Sequence, residues 1–408
     1  MNPQKLLTAI VGGAPPDLIN QDRFTIGDWA SRDSFEQLDD FLKAEKSTKD
    51  PVQQSNFYPA AWNEALYKGH VYGIPTGIDD RALYYNKRAF REAGLDPNKP
   101  PRTWEELKEY ALKLTKKDDK GAFERIGFIP NYGNSWLYLY SWQNGGEFMS
   151  KDGRKCIMDN PYSVGALKYM TDVYDALGGY DKVNTFQSGF QGAEQDPFFT
   201  GTIAMVIDGS WKLNNIARYS PGLDFGVAPA PVPAERLKGE GRFKGQDPFI
   251  TWAGGYSLAI PRGAKHPKEA WRFLKWMVGE EATVIGARAQ QKFNEAKGRP
   301  FVFTLSADKS INEHMLKLFP LSNTRLQNAQ KLNVDLLPSA KFRPVTFIGQ
   351  TLWDAHRRAA ERAWQHNQTG LSAQAALTEQ RALVQKELDK QSTRDRLPLF
   401  SFLWPTII

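Results

Sequence analysis

Two adjacent carboxylates, Asp79 and Asp80, and a few tryptophans set beside glycines are the residues whose types and spacing could do chemistry in this chain of 408 residues. Trp211 follows Gly209-Ser210 directly after an apolar run, and Trp252 stands just before Gly254-Gly255. Both fall at strand ends, where the cleft of an α/β lobe opens. Indole faces and carboxylates together suit a hydroxyl-rich guest, because rings cover the apolar faces of a sugar while acids accept from its hydroxyls. With 12 Trp, 24 Phe and 15 Tyr, most rings must be ordinary core, so position has to carry the argument. Trp62, in the helix before Gly69, reads either as a cleft residue or as packing. The two aspartates could also serve a glycosidase, with Glu147 or Glu194 as the distant acid. Neighbours on an extended strand point to opposite faces, however, so the pair cannot bracket one bond unaided.

The elements that must position these residues can be read locally. Val71 to Pro75 and Ala82 to Tyr85 are short strands of bulky side chains, and Asp79 and Asp80 lie between them. Thr103-Trp104-Glu105-Glu106 spells a capping box, followed by Leu107, Tyr110, Ala111 and Leu114 at the spacing of one buried helix face. Asn160-Pro161 opens another helix, which Gly178-Gly179 ends. Thr202 to Ile207 and Phe225 to Pro229 read as strands, Ala234 to Asp247 as a surface loop, and Trp353 to Gln368 and Ser372 to Gln391 as a closing pair of helices. Alternating strands and helices predict an α/β protein with mixed, mostly parallel sheets flanked by helices.

Composition narrows the function classes. The length fits two or three domains, and 41% hydrophobic with 24% charged residues is ordinary globular composition. The net charge of +7 is scattered and forms no basic stripe with interleaved aromatics, so no nucleic-acid partner is expected. A single cysteine, Cys156, permits no internal disulfide or cysteine-based metal site, and the five histidines lack the paired spacing of a metal helix. No metal or other cofactor is expected. No apolar window is long enough to span a bilayer, and no Walker A loop occurs.

Three blocks carry a family resemblance. The first runs Val71-Tyr72-Gly73-Ile74-Pro75, Asp79, Leu83-Tyr84-Tyr85-Asn86-Lys87, Ala93-Gly94-Leu95-Asp96, then Pro100 to Leu107. The second is Phe198 to Trp211, and the third is Gly254 to Ile260 followed by Pro267 to Trp276. In this order they resemble the family 1 extracellular solute-binding proteins, the sugar-binding type that feeds ABC importers.

That resemblance implies a two-lobed, type II periplasmic-binding-protein-like fold with hinge-linked lobes. Lobe I would comprise 1–84 and 260–320, and lobe II 85–259 and 321–395, leaving an apolar tail at 396–408 that either packs on lobe II or forms a docking patch. Crossings would fall near 83–86, 255–260 and 318–325. The resemblance also matches Trp142 and Asn144-Gly145-Gly146 to a turn of the family, and Arg343, in Lys341-Phe342-Arg343-Pro344, to its Arg-Pro motif, where Arg343 either leans into the cleft or forms a salt bridge. The implied ligand set is Asp79, Asp80, Trp142, Asn144, Trp211, Trp252, Gly254, Gly255, Arg343 and Trp62. The implied function is to capture a carbohydrate or related polyol in the interlobe cleft, shut on it, and deliver it to ABC permease subunits in the membrane, as a monomer and without catalysis. The implied location is periplasmic or extracellular, membrane-associated. The glycoside hydrolase is the alternative. Gln4 to Leu18 resembles a segment that the family carries after a signal and a strand-helix-strand unit, so lobe I is expected to be N-terminally incomplete; Met1 to Gly13 lacks a signal-peptide layout.

Overall fold

Apolar contacts in the computed structural model gather into two main cores. The structure describes residues 3–394 apart from Ser47 and Lys49, so the apolar tail 396–408 lies outside the described residues. One core joins Leu83, Phe128, Leu167 and Ile207 to Leu352 and Leu377 from the far end of the chain. The other joins Trp62, Ile74, Leu258, Trp271 and Ile311, with a small satellite around Ile26, Trp29 and Phe35.

Besides a short antiparallel hairpin of Leu66–Tyr67 with His70–Val71, the strands among the described residues are β1 (Ile19–Asp22), β2 (Ile74–Pro75), β3 (Arg81–Asn86), β4 (Lys116–Lys117), β5 (Phe123–Gly133), β6 (Ile203–Gly209), β7 (Phe225–Pro229), β8 (Thr251–Trp252), β9 (Tyr256–Ala259) and β10 (Ala340–Lys341). A three-stranded sheet of order β1-β9-β2 is antiparallel throughout. The five-stranded sheet has order β4-β5-β6-β3-β7, in which only β5 and β6 run parallel. A parallel pair, β8 and β10, ties the junction. The sheets are therefore mixed, but pairing is predominantly antiparallel rather than parallel. Strand direction is set by where the chain enters a sheet, and β3 enters from the other core to lie antiparallel to both neighbours.

Among the helices that flank these sheets are α1 (Pro59–Glu64), α2 (Trp104–Leu114), α3 (Leu137–Gln143), α4 (Pro161–Leu177), α5 (Trp211–Tyr219), α6 (Gly349–Trp364) and α7 (Ala373–Arg394). At α2 the capping box forms as its sequence dictates: Thr103 Oγ1 accepts from the Glu106 N–H at 3.2 Å, and Glu106 accepts from the Thr103 N–H at 3.2 Å. Trp104, Leu107, Ala111 and Leu114 face the core. Asn160 caps α4 by accepting from the Tyr162 and Ser163 amides.

Three sequence expectations shift. All six residues of β3 are buried in the larger core's sheet, so the first crossing lies ahead of it at 76–80 rather than at 83–86. Strand β9 pairs with β1 and β2, so 256–259 belong with the sheet of the other unit, not with 85–255. The stretch 234–247 is more than a surface loop: it contains the helix Ala234–Lys238, whose buried Arg236 donates to the Gln143 carbonyl at 2.6 Å.

Candidate functional site

A cavity of about 510 Å³ lies where the two cores meet, walled by Phe24, Trp136, Trp211, Trp252 and Trp353 and carrying Asp22, Asp79, Arg81 and Arg343. A smaller chamber of about 200 Å³ adjoins it, sharing Asp79, Trp211, Gly255 and Tyr256 and continuing to Phe303 and Gln330.

Asp79 ends the first crossing, where its Oδ1 accepts from the Gly254 N–H at 2.6 Å and from Arg81 Nη1 at 2.6 Å. Arg81, the first residue of β3, lies between two indoles, with its guanidinium carbon 4.8 Å from the Trp211 ring and 4.4 Å from the Trp252 ring. Its Nε donates to the Asn134 carbonyl at 3.0 Å and its Nη2 to Asn134 Oδ1 at 3.2 Å. A flat cation held between ring faces is a favourable cation–π arrangement, and it fixes both indoles at the cleft wall.

Beneath this wall the crossings are joined by buried charge. Arg23 Nη1 donates to the carbonyls of Gly77 at 2.7 Å and Tyr256 at 3.0 Å, while its Nη2 donates to the Gly254 carbonyl. Its Nε meets Glu64 Oε2 at 3.3 Å. The other oxygen of Glu64 accepts from Arg343 Nε at 2.9 Å, and Arg343 reaches Asp22 at 3.2 Å while lying over the Phe24 ring. Burial lowers the Arg23 pKa, against the pull of Glu64. Gly255 adopts φ +130, and a Cβ there would sit 2.5 Å from the Gly77 carbonyl oxygen, so only glycine lets the two crossings touch. Behind Trp353, His356 is enclosed by the rings of Trp136, Tyr138, Phe148 and Trp353. Burial drops its pKa to about 3, which keeps it neutral.

The sequence pattern of the bacterial extracellular solute-binding proteins matches residues 2–284. The chain belongs to that family. The maltotriose-binding protein of Pyrococcus abyssi is 26% identical over 273 residues, 66% of this chain and 52% of that protein. The sn-glycerol-3-phosphate-binding periplasmic protein UgpB of Salmonella typhimurium is 30% identical over 220 residues, 52% of this chain and 45% of that protein. The chain thus spans about half the length of these curated relatives. Among solved structures, CpMnBP1 with mannobiose bound superposes with a TM-score of 0.72 at 30% identity, covering 93% of this chain and 86% of that one. The sugar-binding protein MalE of Xanthomonas citri shares the fold, with a TM-score of 0.71 at 21% identity over 96% of this chain and 88% of its own. The architecture is that of type II periplasmic sugar-binding proteins.

In this solute-binding protein the structure brings Asp79, Trp211, Trp252, Gly254, Gly255 and Arg343 together on the larger cavity. Arg343 does both things expected of it, lining the cavity and forming a salt bridge, here to Glu64.

Four expected ligand residues fall elsewhere. Asp80 is fully buried; burial, and then the charge of Asp79, push its pKa up to about 8, against the lowering effects of Arg81 and of a hydrogen bond with Ser210. It faces the protein interior, as strand alternation requires of a neighbour of Asp79. Trp142, in α3, is buried, and its Nε1 donates to Glu147 at 3.1 Å. Asn144 is held by the Tyr162 carbonyl and Arg242 at a turn outside both chambers. Trp62, in α1, is buried against Phe57 in the second core.

Sequence reasoning missed Arg81, Asn134, Trp136, Trp353, Phe24, Asp22 and Tyr256, all of which line the larger cavity. The signal available for Arg81 was its place two residues after Asp79, since a cation at that spacing from a cleft carboxylate is well placed to pair with it. Among the described residues no group of His, Cys, Asp or Glu could hold a metal ion, and no helix is long and apolar enough to cross a membrane.

Proposed function

We propose that this chain captures a carbohydrate in the cleft between its two lobes and hands it to the permease of an ABC importer, without breaking it. The observation that carries this reading is Asp79 held by Arg81 and the Gly254 amide at the edge of a cavity walled by Trp136, Trp211, Trp252 and Trp353. Such a wall offers apolar faces for sugar rings, and fixed polar groups orient the hydroxyls. The sugar-binding names of several relatives and neighbours favour the same reading.

The energetics ask for lobe closure. Micromolar binding takes about 8 kcal/mol. One aromatic contact supplies about 0.5–1.5 kcal/mol beyond burial, and a charge-assisted hydrogen bond about 1.5–3 kcal/mol. Two ring faces and one carboxylate fall short of the total, and shutting the cleft around the guest supplies the remainder.

A receptor is favoured over a hydrolase because both acids on the larger cavity are already engaged by cations, Asp79 by Arg81 at 2.6 Å and Asp22 by Arg343 at 3.2 Å. Glu147 is engaged by Trp142 and Lys341, Glu194 is exposed in the turn Ala193–Gln195, and neither lines the chambers. The protein would act outside the cytoplasmic membrane as a monomer, with no cofactor and no nucleic-acid partner. Titrating the protein with oligosaccharides while following tryptophan fluorescence tests this. A saturable change with no hydrolysis products supports capture, and product accumulation on prolonged incubation refutes it.

A further inference from the structure

Resting on the carbohydrate reading above, we infer that the cleft is built for an uncharged glycan of at least two sugar rings, which excludes both a lone monosaccharide and a phosphate ester as the preferred guest. Two observations point there: the charge bookkeeping of the cavity walls and its division into two chambers.

The cations of the larger chamber are already committed. Arg81 is satisfied by Asp79 at 2.6 Å, by Asn134 and by the Asp80 carbonyl at 3.0 Å. Arg343 is shared between Glu64 at 2.9 Å and Asp22 at 3.2 Å. Arg23, behind them, gives its N–H groups to Glu64 and to backbone carbonyls. Binding a phosphate calls for a cation with free donors, and here each lining guanidinium has an acidic partner. The smaller chamber has Asp79 as its only charged lining residue, so an anion placed there meets a carboxylate with no opposing cation on the wall. The element that would favour an anion is the N-terminus of α5, whose first residue, Trp211, lines both chambers.

The chambers, about 510 and 200 Å³, share a wall of Asp79, Trp211, Gly255 and Tyr256. A ring in the larger chamber has the indole walls of Trp252 and Trp353. A ring in the smaller chamber meets Phe303, Thr304 and the amides of Asn214 and Gln330. The Asn214 Oδ1 atom is buried with no hydrogen-bond partner. An amide oxygen accepts and never donates, so its match is a hydroxyl rather than a phosphate oxygen. Asp79 lines both chambers, within reach of the linkage that would join two such rings.

Isothermal titration of the full chain tests this with a panel of neutral di- and trisaccharides of glucose, mannose, galactose and xylose, their monosaccharides, and sn-glycerol 3-phosphate. The expected result is at least one neutral oligosaccharide binding tenfold or more tighter than its own monosaccharide, with no competition from sn-glycerol 3-phosphate. A monosaccharide binding as tightly, or sn-glycerol 3-phosphate binding more tightly than any sugar, overturns the inference. A monosaccharide result leaves carbohydrate capture standing. No heat from any sugar overturns carbohydrate capture itself, and this inference with it.

A second arm narrows the smaller chamber through its exposed wall residue, Thr304. The Thr304→Trp variant is expected to weaken the oligosaccharide at least tenfold and to leave its monosaccharide within threefold, at an unchanged melting temperature. Equal weakening of both sugars, or of neither, refutes the two-chamber assignment.

Discussion

Replacing Glu64 tests whether buried charge fastens the crossings between the lobes. Its side chain is 0% exposed and sits between Arg23, also 0% exposed, and Arg343, 8% exposed. Oε1 accepts from the Arg343 Nε at 2.9 Å and from its N–H at 3.3 Å, and Oε2 from the Arg23 Nε at 3.3 Å. The Glu64→Gln variant keeps the size of the side chain but removes its negative charge and turns an amide donor toward a guanidinium. Arg343 would then keep Asp22, which is 41% exposed and therefore a weaker, solvent-screened counter-charge. Arg23 would keep only backbone carbonyls. Stripping the partner from a buried ion pair costs about 3–5 kcal/mol, and that is the expected loss. Urea unfolding followed by tryptophan fluorescence reads it as a lower midpoint at an unchanged slope. A double variant, Arg23→Met with Glu64→Met, separates charge from clamp. It removes the pair but orphans the carbonyls of Gly77, Gly254 and Tyr256, each at about 1–3 kcal/mol, so it should stay destabilised. A loss under about 1 kcal/mol for Glu64→Gln, or full recovery in the double variant, refutes the reasoning.

Other outcomes follow from the same geometry. Asp80→Asn should stabilise the protein: the unfolded carboxyl ionises near pH 4 while the folded one keeps its proton until about pH 8. Between these values the unfolded state binds fewer protons, so wild-type stability falls as pH rises. The variant's advantage should be near zero at pH 4 and reach a few kcal/mol by pH 8, and pH-independent equality of the two proteins in urea titrations would contradict it. Trp211→Ala removes one ring face and frees Arg81, so oligosaccharide binding by calorimetry should weaken by about 0.5–1.5 kcal/mol; undiminished affinity would remove Trp211 from the site. Trp62→Ala should lower stability by about 3–5 kcal/mol with an unchanged dissociation constant in the surviving folded protein, and a selective loss of affinity would return Trp62 to the cleft.

Features fixed by neighbours in the chain are legible in the sequence alone. The Thr103 capping box and the Asn160 cap depend on contacts three residues or fewer apart, and each forms as its sequence implies. Trp211 and Asp79 are legible because a strand end beside a turn is where a lobe presents side chains. What escapes is assembled across distance. Trp353 and Phe24 reach the same cavity from opposite ends of the chain, and nothing local marks either. Trp142 looks like a cleft residue because it precedes a glycine turn, but α3 turns its indole inward against Trp252 and Phe148. Asp80 shares every local signal with Asp79, and only the facing of the backbone separates them. Strand direction is hidden for the same reason: alternation of strands and helices says nothing about a strand that arrives from another lobe.

The close approach of the backbones at Gly77 and Gly255 sets a rule for anyone wishing to reshape the cleft of this protein. A methyl group at 255 would collide with the opposite carbonyl, so a mutant library that randomises the crossing wastes its members on misfolded chains. Diversity belongs instead on exposed wall positions such as Thr304, where a changed side chain reshapes the guest's surroundings and leaves the pivot intact.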